Sequence, residues 1–254
     1  MAKQTSLITF TGRLGNMIGY RRNRKFYLRS MPAIVRQTTA TRRAAQRFGI
    51  ASKHACLVRK ALIPALDIPC DGHHVNRMNQ LLMKGRSNRV CNLTGYRFNE
   101  CTGITQLIGV APYMGTDGRL YIPAQTLPAV KGCDAVEITV IVTRISFAYQ
   151  QIKAVRATKT ILQAGVHFDG AVLPVDIEGK GTLIIAVQVR LMCEGRPVCN
   201  SKQVAADILA VYTPDTGTKP GTDQTAVVPA YSVNGVPAQV VIQYVPGPVL
   251  CRRE

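Results

Sequence analysis

Thr182-Leu-Ile-Ile-Ala-Val-Gln-Val-Arg-Leu-Met192 decides the fold. The run is rich in β-branched residues, and Leu183-Ile-Ile-Ala-Val187 is apolar at every position, so a strand built from it needs cover on both faces. Such a strand belongs in the middle of a sheet. Working outward, residues 119–122, 136–147, 151–162, 171–176 and 203–211 are further Val, Ile and Thr-rich segments, separated by Gly, Pro, Asp and Asn turns. Several strands at short spacing point to an antiparallel sandwich or barrel. The chain has no Trp and is 46% hydrophobic, which excludes disorder throughout and implies a core of aliphatic side chains.

Beyond this body, 213–223 is a run of turn formers with nothing to bury, and it reads as a linker. Two more apolar strands are expected at 225–231 and 238–244, around Ser232-Val-Asn-Gly235. They either close the sandwich as a last hairpin or dock on the sheet edge of a neighbouring subunit.

Ahead of the body the pattern differs. Three short strands are expected at 6–11, 17–21 and 25–29, with turns at 12–16 and 22–24. Alternation in the third puts Phe26 and Leu28 on one face and Lys25, Tyr27 and Arg29 on the other. The segment 31–40 contains Pro32 and a β-branched run and reads as an extended arm. A helix capped by Thr39 or Thr41 then runs to Leu62, with Ala44, Phe48, Ala51, Ala55, Val58 and Leu62 on its apolar seam. Pro64 ends it, and a shorter helix is expected at 73–84 with Gly85 as its C-terminal cap. The chain is therefore read as α+β, mainly β: a basic N-terminal β-hairpin and helical segment at 1–118, an antiparallel β-sandwich at 119–212, and a linker with a terminal hairpin or exchanged tail at 213–254.

Charge separates these regions sharply. Residues 1–97 hold 19 Lys and Arg against Asp67 and Asp71, whereas 98–254 hold 13 against 12 acids. The first 62 residues contain 14 cations and no carboxylate, so the first helix has no acid with which to form i,i+4 pairs. An asymmetry of this size concerns partners rather than fold. Arg21, Arg22, Arg24, Lys25, Tyr27, Arg29, Arg42, Arg43, Arg47, Arg59 and Lys60 are the candidate contacts to an anionic partner. Tyr20, Phe26 or Tyr27 is placed to stack on bases while the cations meet phosphates. The competing reading is a solvated basic face.

Catalytic constellations are not visible. The sequence has no P-loop, H-E-x-x-H, G-x-S-x-G or G-x-G-x-x-G pattern. Eight cysteines include no C-x-x-C pair, and Cys70-Asp-Gly-His73-His74 with Cys91 and Cys101 reads as packed thiols and helix-start histidines rather than a zinc site. Asp134 and Glu137 read as a solvated strand start, and His167 as a structural histidine. No enzyme activity, metal, cofactor or small-molecule substrate is expected. The N-terminus does not read as a secretory signal, and no apolar run approaches a membrane span, so the expected location is the cytoplasm or a virion or filament assembled there.

At Gly12-Arg-Leu-Gly-Asn16, Lys25-Phe-Tyr-Leu-Arg29 and Phe48-Gly-Ile-Ala-Ser52, the first 60 or so residues resemble an uncharacterised family of small proteins from Bacteroidetes bacteria and their mobile elements. That resemblance implies no activity. At fold level the body is similar to β-sandwich subunits of phage and filament assemblies. The expected function is a self-assembling structural protein, a homo-oligomer whose basic front contacts nucleic acid or an acidic neighbouring subunit. The alternative is a nucleic-acid-binding protein acting as a monomer or small oligomer.

Overall fold

The computed structural model describes residues 2–5, 8–32, 36–68, 70–84, 90–130, 132–175, 177–198 and 200–214, and the backbone of 241–244. The fold is α+β and mainly strands, with an N-terminal antiparallel sheet, a long helix, and further antiparallel sheets of which the largest curls into a half-barrel. Two compact units divide at Ala45 and Gln46, not near residue 118. The reason is a core that buries Ala51, Leu62, Leu82 and Phe98 together with Ile141, Ile184 and Ile208. The helical region after Gln46 and the strands after 119 thus share one interior.

The first unit is a four-stranded antiparallel sheet of β1 (Ala2–Lys3), β2 (Gly12–Leu14), β3 (Met17–Arg22) and β4 (Lys25–Ser30), in the order β1-β4-β3-β2. The strand expected at 6–11 is not formed by residues 8–11, and 6 and 7 lie outside the described residues. Instead Leu14 pairs with Met17, which leaves Gly15 and Asn16 as a two-residue turn with Gly15 at φ 57°. Gly at the first position of such a turn matches the twist of the flanking strands. Phe10 lies over Gly19, where a Cβ would come within 2.5 Å of the Phe10 carbonyl oxygen. Gln4 holds Phe10 in place, its Oε1 accepting from the Phe10 N–H and its Nε2 donating to the Phe10 carbonyl.

Helix α1 spans Thr39–Leu62. Its cap is Thr38, whose Oγ1 accepts from the Thr41 N–H at 3.2 Å, one residue ahead of the expected start. Within the arm expected at 31–40, residues 33–35 lie outside the described residues and Thr39 and Ala40 are helical. The buried seam begins at Ala51 and continues through Ala55, Val58 and Leu62. Ala44 and Phe48, expected on that seam, are exposed, Phe48 to 49%. Helix α2 (His74–Met83) follows a 3-10 turn at Ile63–Ala65 and buries Met78 and Leu82. The expected cap Gly85 lies outside the described residues.

The body adds α3 (Ile104–Ile108), β5 (Tyr113–Met114), β6 (Arg119–Ile122), β7 (Gln125–Thr126), β8 (Ala135–Ser146), β9 (Gln151–Gln163), β10 (His167–Phe168), β11 (Ala171–Pro174), β12 (Thr182–Cys193), β13 (Arg196–Pro197), β14 (Val204–Tyr212) and β15 (Val241–Tyr244). The main sheet runs β13-β12-β8-β9-β15, with β14 also on β12. β12 is central, paired with β8 along one side and with β14 and β13 along the other. Register shifts at Arg144/Ile145 and Ile185/Ala186 mark bulges, which increase local twist and accompany the curl of the sheet. Helices α1 and α2 pack on the face that carries Ile141, Ile184 and Ala186. Helix α3, β6 and the partly buried residues of β11 cover the other face, against Val140, Ile185 and Val187. Of the expected C-terminal strands, 225–231 and residues 238–240 lie outside the described residues, while Val241–Tyr244 pairs with Arg156–Lys159 of β9.

Candidate nucleic-acid interface

In an antiparallel ladder, residues directly opposite each other share a face. Lys25 stands opposite Arg22, Tyr27 opposite Tyr20, and Arg29 opposite Ile18. Arg13 is the partner of Ile18 on the outer side, and Lys3 the partner of Tyr27. One face of the first unit's sheet therefore gathers Lys3, Arg13, Arg22, Lys25 and Arg29 around Tyr20 and Tyr27. The two rings stack with centroids 5.8 Å apart and planes 25° apart, and the Arg29 guanidinium lies 6.0 Å from the Tyr20 ring centre. The nearest carboxylate in sequence is Asp67, so the unit contains no acid to neutralise this face.

Sequence reasoning finds Arg22, Lys25, Tyr27 and Arg29 but misses Lys3 and Arg13. Local pattern puts Arg13 in a turn and leaves Lys3 ahead of the first expected strand; the tight turn Gly15-Asn16, with strand partners on either side, is the signal that places Arg13. Arg21, also a candidate contact, is exposed but lies apart from this group. Its partner is Phe26, and it sits on the opposite face with its guanidinium 5.6 Å from that ring's centre. Arg24 is at the hairpin tip, where Asn23 and Arg24 have φ of 50° and 61°.

The helical cations do not form one stripe. Arg42 and Arg43 are exposed near the start of α1, whose first turn holds no acidic residue. Cations at a helix N-terminus oppose the macrodipole, so an anion there would be favoured. Arg47 instead donates from Nη2 to the Met83 carbonyl at 3.2 Å and ties α1 to the end of α2. Arg59 is half-buried, while Lys60 is exposed.

Polar groups of the body are occupied structurally. Asp134 is exposed, but Glu137 is buried, contrary to the expectation of a solvated pair. Glu137 is the ladder partner of Arg190, and Lys159 bridges to Asp67 at 2.9 Å. The hydrogen bond from Lys159 holds the Asp67 carboxyl below the usual range. Arg77 is clamped by Asp71 at 2.6 Å and Glu100 at 3.0 Å, at the edge of a groove of about 610 Å³ that also meets Lys84, Tyr96 and Arg97.

Burial pushes the Cys70 thiol up, and His74 Nδ1 lies 2.6 Å from the Asp71 carbonyl oxygen. Among the described residues no group of three or more His, Cys, Asp or Glu is placed to hold a metal. His167 is exposed on β10, 3.6 Å from Asp169. No helix among the described residues is long and apolar enough to cross a membrane. Comparison with family models, with curated proteins and with solved structures gives no match to this chain.

Proposed function

We propose that this chain is a structural subunit that assembles with copies of itself and holds nucleic acid against its N-terminal sheet. The observation that carries the reading is the face of five cations around a stacked tyrosine pair, in a unit with no carboxylate. Unopposed cations on a rigid sheet favour a polyanion, whose binding releases condensed counterions.

Assembly is supported by the edge of the main sheet. β15 covers Arg156–Lys159 of the 13-residue β9, and among the described residues no other strand pairs with that edge. Ile161 is 46% exposed along it and Tyr149 is 77% exposed in the preceding turn. Backbone groups at such an edge accept a strand from a second copy. A nucleic-acid-binding protein acting alone is the second reading, favoured by the confinement of the face to Met1–Ala45.

Light scattering on the purified chain, after nuclease treatment at low and at high salt, separates the two. Particles of many chains that survive both treatments are expected. A monomer of 27.7 kDa under both conditions would contradict assembly.

A further inference from the structure

Resting on the nucleic-acid reading of this face, we infer that its ligand is a single strand, of DNA or RNA, laid along β3 and β4 with unpaired bases on Tyr20 and Tyr27. Alternate residues of one strand share a face and are about 6.7 Å apart. Lys25, Tyr27 and Arg29 thus form a row in which a ring stands between two cations, and Arg22 and Tyr20 repeat the start of that row on β3. Lys3 and Arg13 flank the pair on the outer strands. Cations at both ends of the row, with rings between them, match an extended strand that offers phosphate, base, phosphate in succession.

A duplex fits this arrangement poorly. Its bases present their faces only to one another, so the central rings would meet sugar and phosphate and contribute no stacking. The tyrosines are also held in place: they stack on each other, Gln4 Nε2 donates to the Tyr27 carbonyl at 3.1 Å, and Phe10 packs over Gly19 on the reverse side. A platform fixed this way takes a base without first ordering its own side chains.

The test is fluorescence anisotropy with the full chain and three labelled probes, oligo-dT, oligo-rU and a mixed-sequence duplex, at about 0.1 M salt. Each probe is about 12 nucleotides per strand, long enough to fill the site of a single-strand platform. Both single strands are expected to bind at least about tenfold tighter than the duplex, and a preference between dT and rU assigns the sugar. Tyr20→Leu with Tyr27→Leu is expected to lose about tenfold or more on the single strands and to leave duplex binding unchanged. Tyr20→Phe with Tyr27→Phe keeps the rings and the affinity. Duplex binding as tight as single-strand binding, or single-strand binding unmoved by the leucine pair, overturns the inference while leaving the nucleic-acid reading in place. Failure of all three probes to bind overturns both. Where the leucine pair does not fold, the wild-type preference decides.

Discussion

Arg190 and Glu137 stand opposite each other in the β12–β8 ladder, with Nε 2.9 Å from Oε1 and Nη2 donating to Oε2 at 3.1 Å, on the face of the main sheet that the helices cover. Asp67, just after the turn that ends α1, lies 3.5 Å from Arg190, and its N–H donates to the buried Gln188 Oε1. The pair therefore joins the centre of the sheet to the chain that leaves the long helix. Arg190→Met leaves Glu137 buried beside Lys159, which approaches it only to 3.9 Å. The expected loss is about 3 kcal/mol in urea unfolding. Glu137→Leu combined with Arg190→Met is expected to cost less than Arg190→Met alone, because no buried charge is left without its partner.

Arg24 occupies φ 61° in the two-residue turn between β3 and β4, a conformation that glycine adopts without strain. Arg24→Gly is expected to stabilise the hairpin by about 0.5 to 1 kcal/mol, read as slower amide exchange in β3 and β4. Affinity for a single strand should fall modestly at the same time, through loss of one cation beside the face.

Asp207 gives the protein a distinctive acid response. Burial raises its carboxyl to about 6, against the opposing pull of Arg97 and the Ile104 N–H. In the unfolded chain the group ionises near 4, so between about pH 4 and 6 the folded state binds the extra proton, and this group's contribution to stability falls as pH rises. Asp207→Asn is expected to remove that fall, on the order of 2 kcal/mol, and to melt no lower than wild type at pH 7. Asp67 and Asp71, held low by Lys159 and Arg77, act in the opposite sense: the stability they supply is lost as pH drops below about 4. Urea titrations at half-unit steps from about pH 2 to 7 separate the two effects.

The main sheet was legible because its long strands are rich in apolar and β-branched residues and are bounded by turn formers. Leu183-Ile-Ile-Ala-Val187 admits no surface position, and β8, β9, β12 and β14 begin and end within one residue of the expected bounds. Where packing is one-sided, local pattern misled. Ile8 and Phe10 look like strand residues, yet the tight turn at Gly15 gives the pairing to Gly12–Leu14. Phe48 has the right helical spacing for the seam, but the buried part of α1 starts one turn later, at Ala51. Glu137 and Arg190 are opposite charges set among mostly apolar neighbours of β8 and β12, and their mutual pairing becomes readable only once the register sets them side by side. The same holds for the candidate site. Lys25, Tyr27 and Arg29 are visible from alternation within one strand, whereas Lys3, Arg13 and the Tyr20 stack come from pairing between strands.

The most direct test of the N-terminal face is the salt dependence of binding to oligo-dT. If Lys3, Arg13, Arg22, Lys25 and Arg29 all meet phosphates, the slope of log K against log salt is expected near −3.5, at about −0.7 per neutralised phosphate of a single strand. Lys25→Ala with Arg29→Ala should flatten that slope by about 1.4 and leave the melting temperature close to wild type. A slope that the double variant does not change would place the nucleic acid elsewhere on the chain and contradict the account.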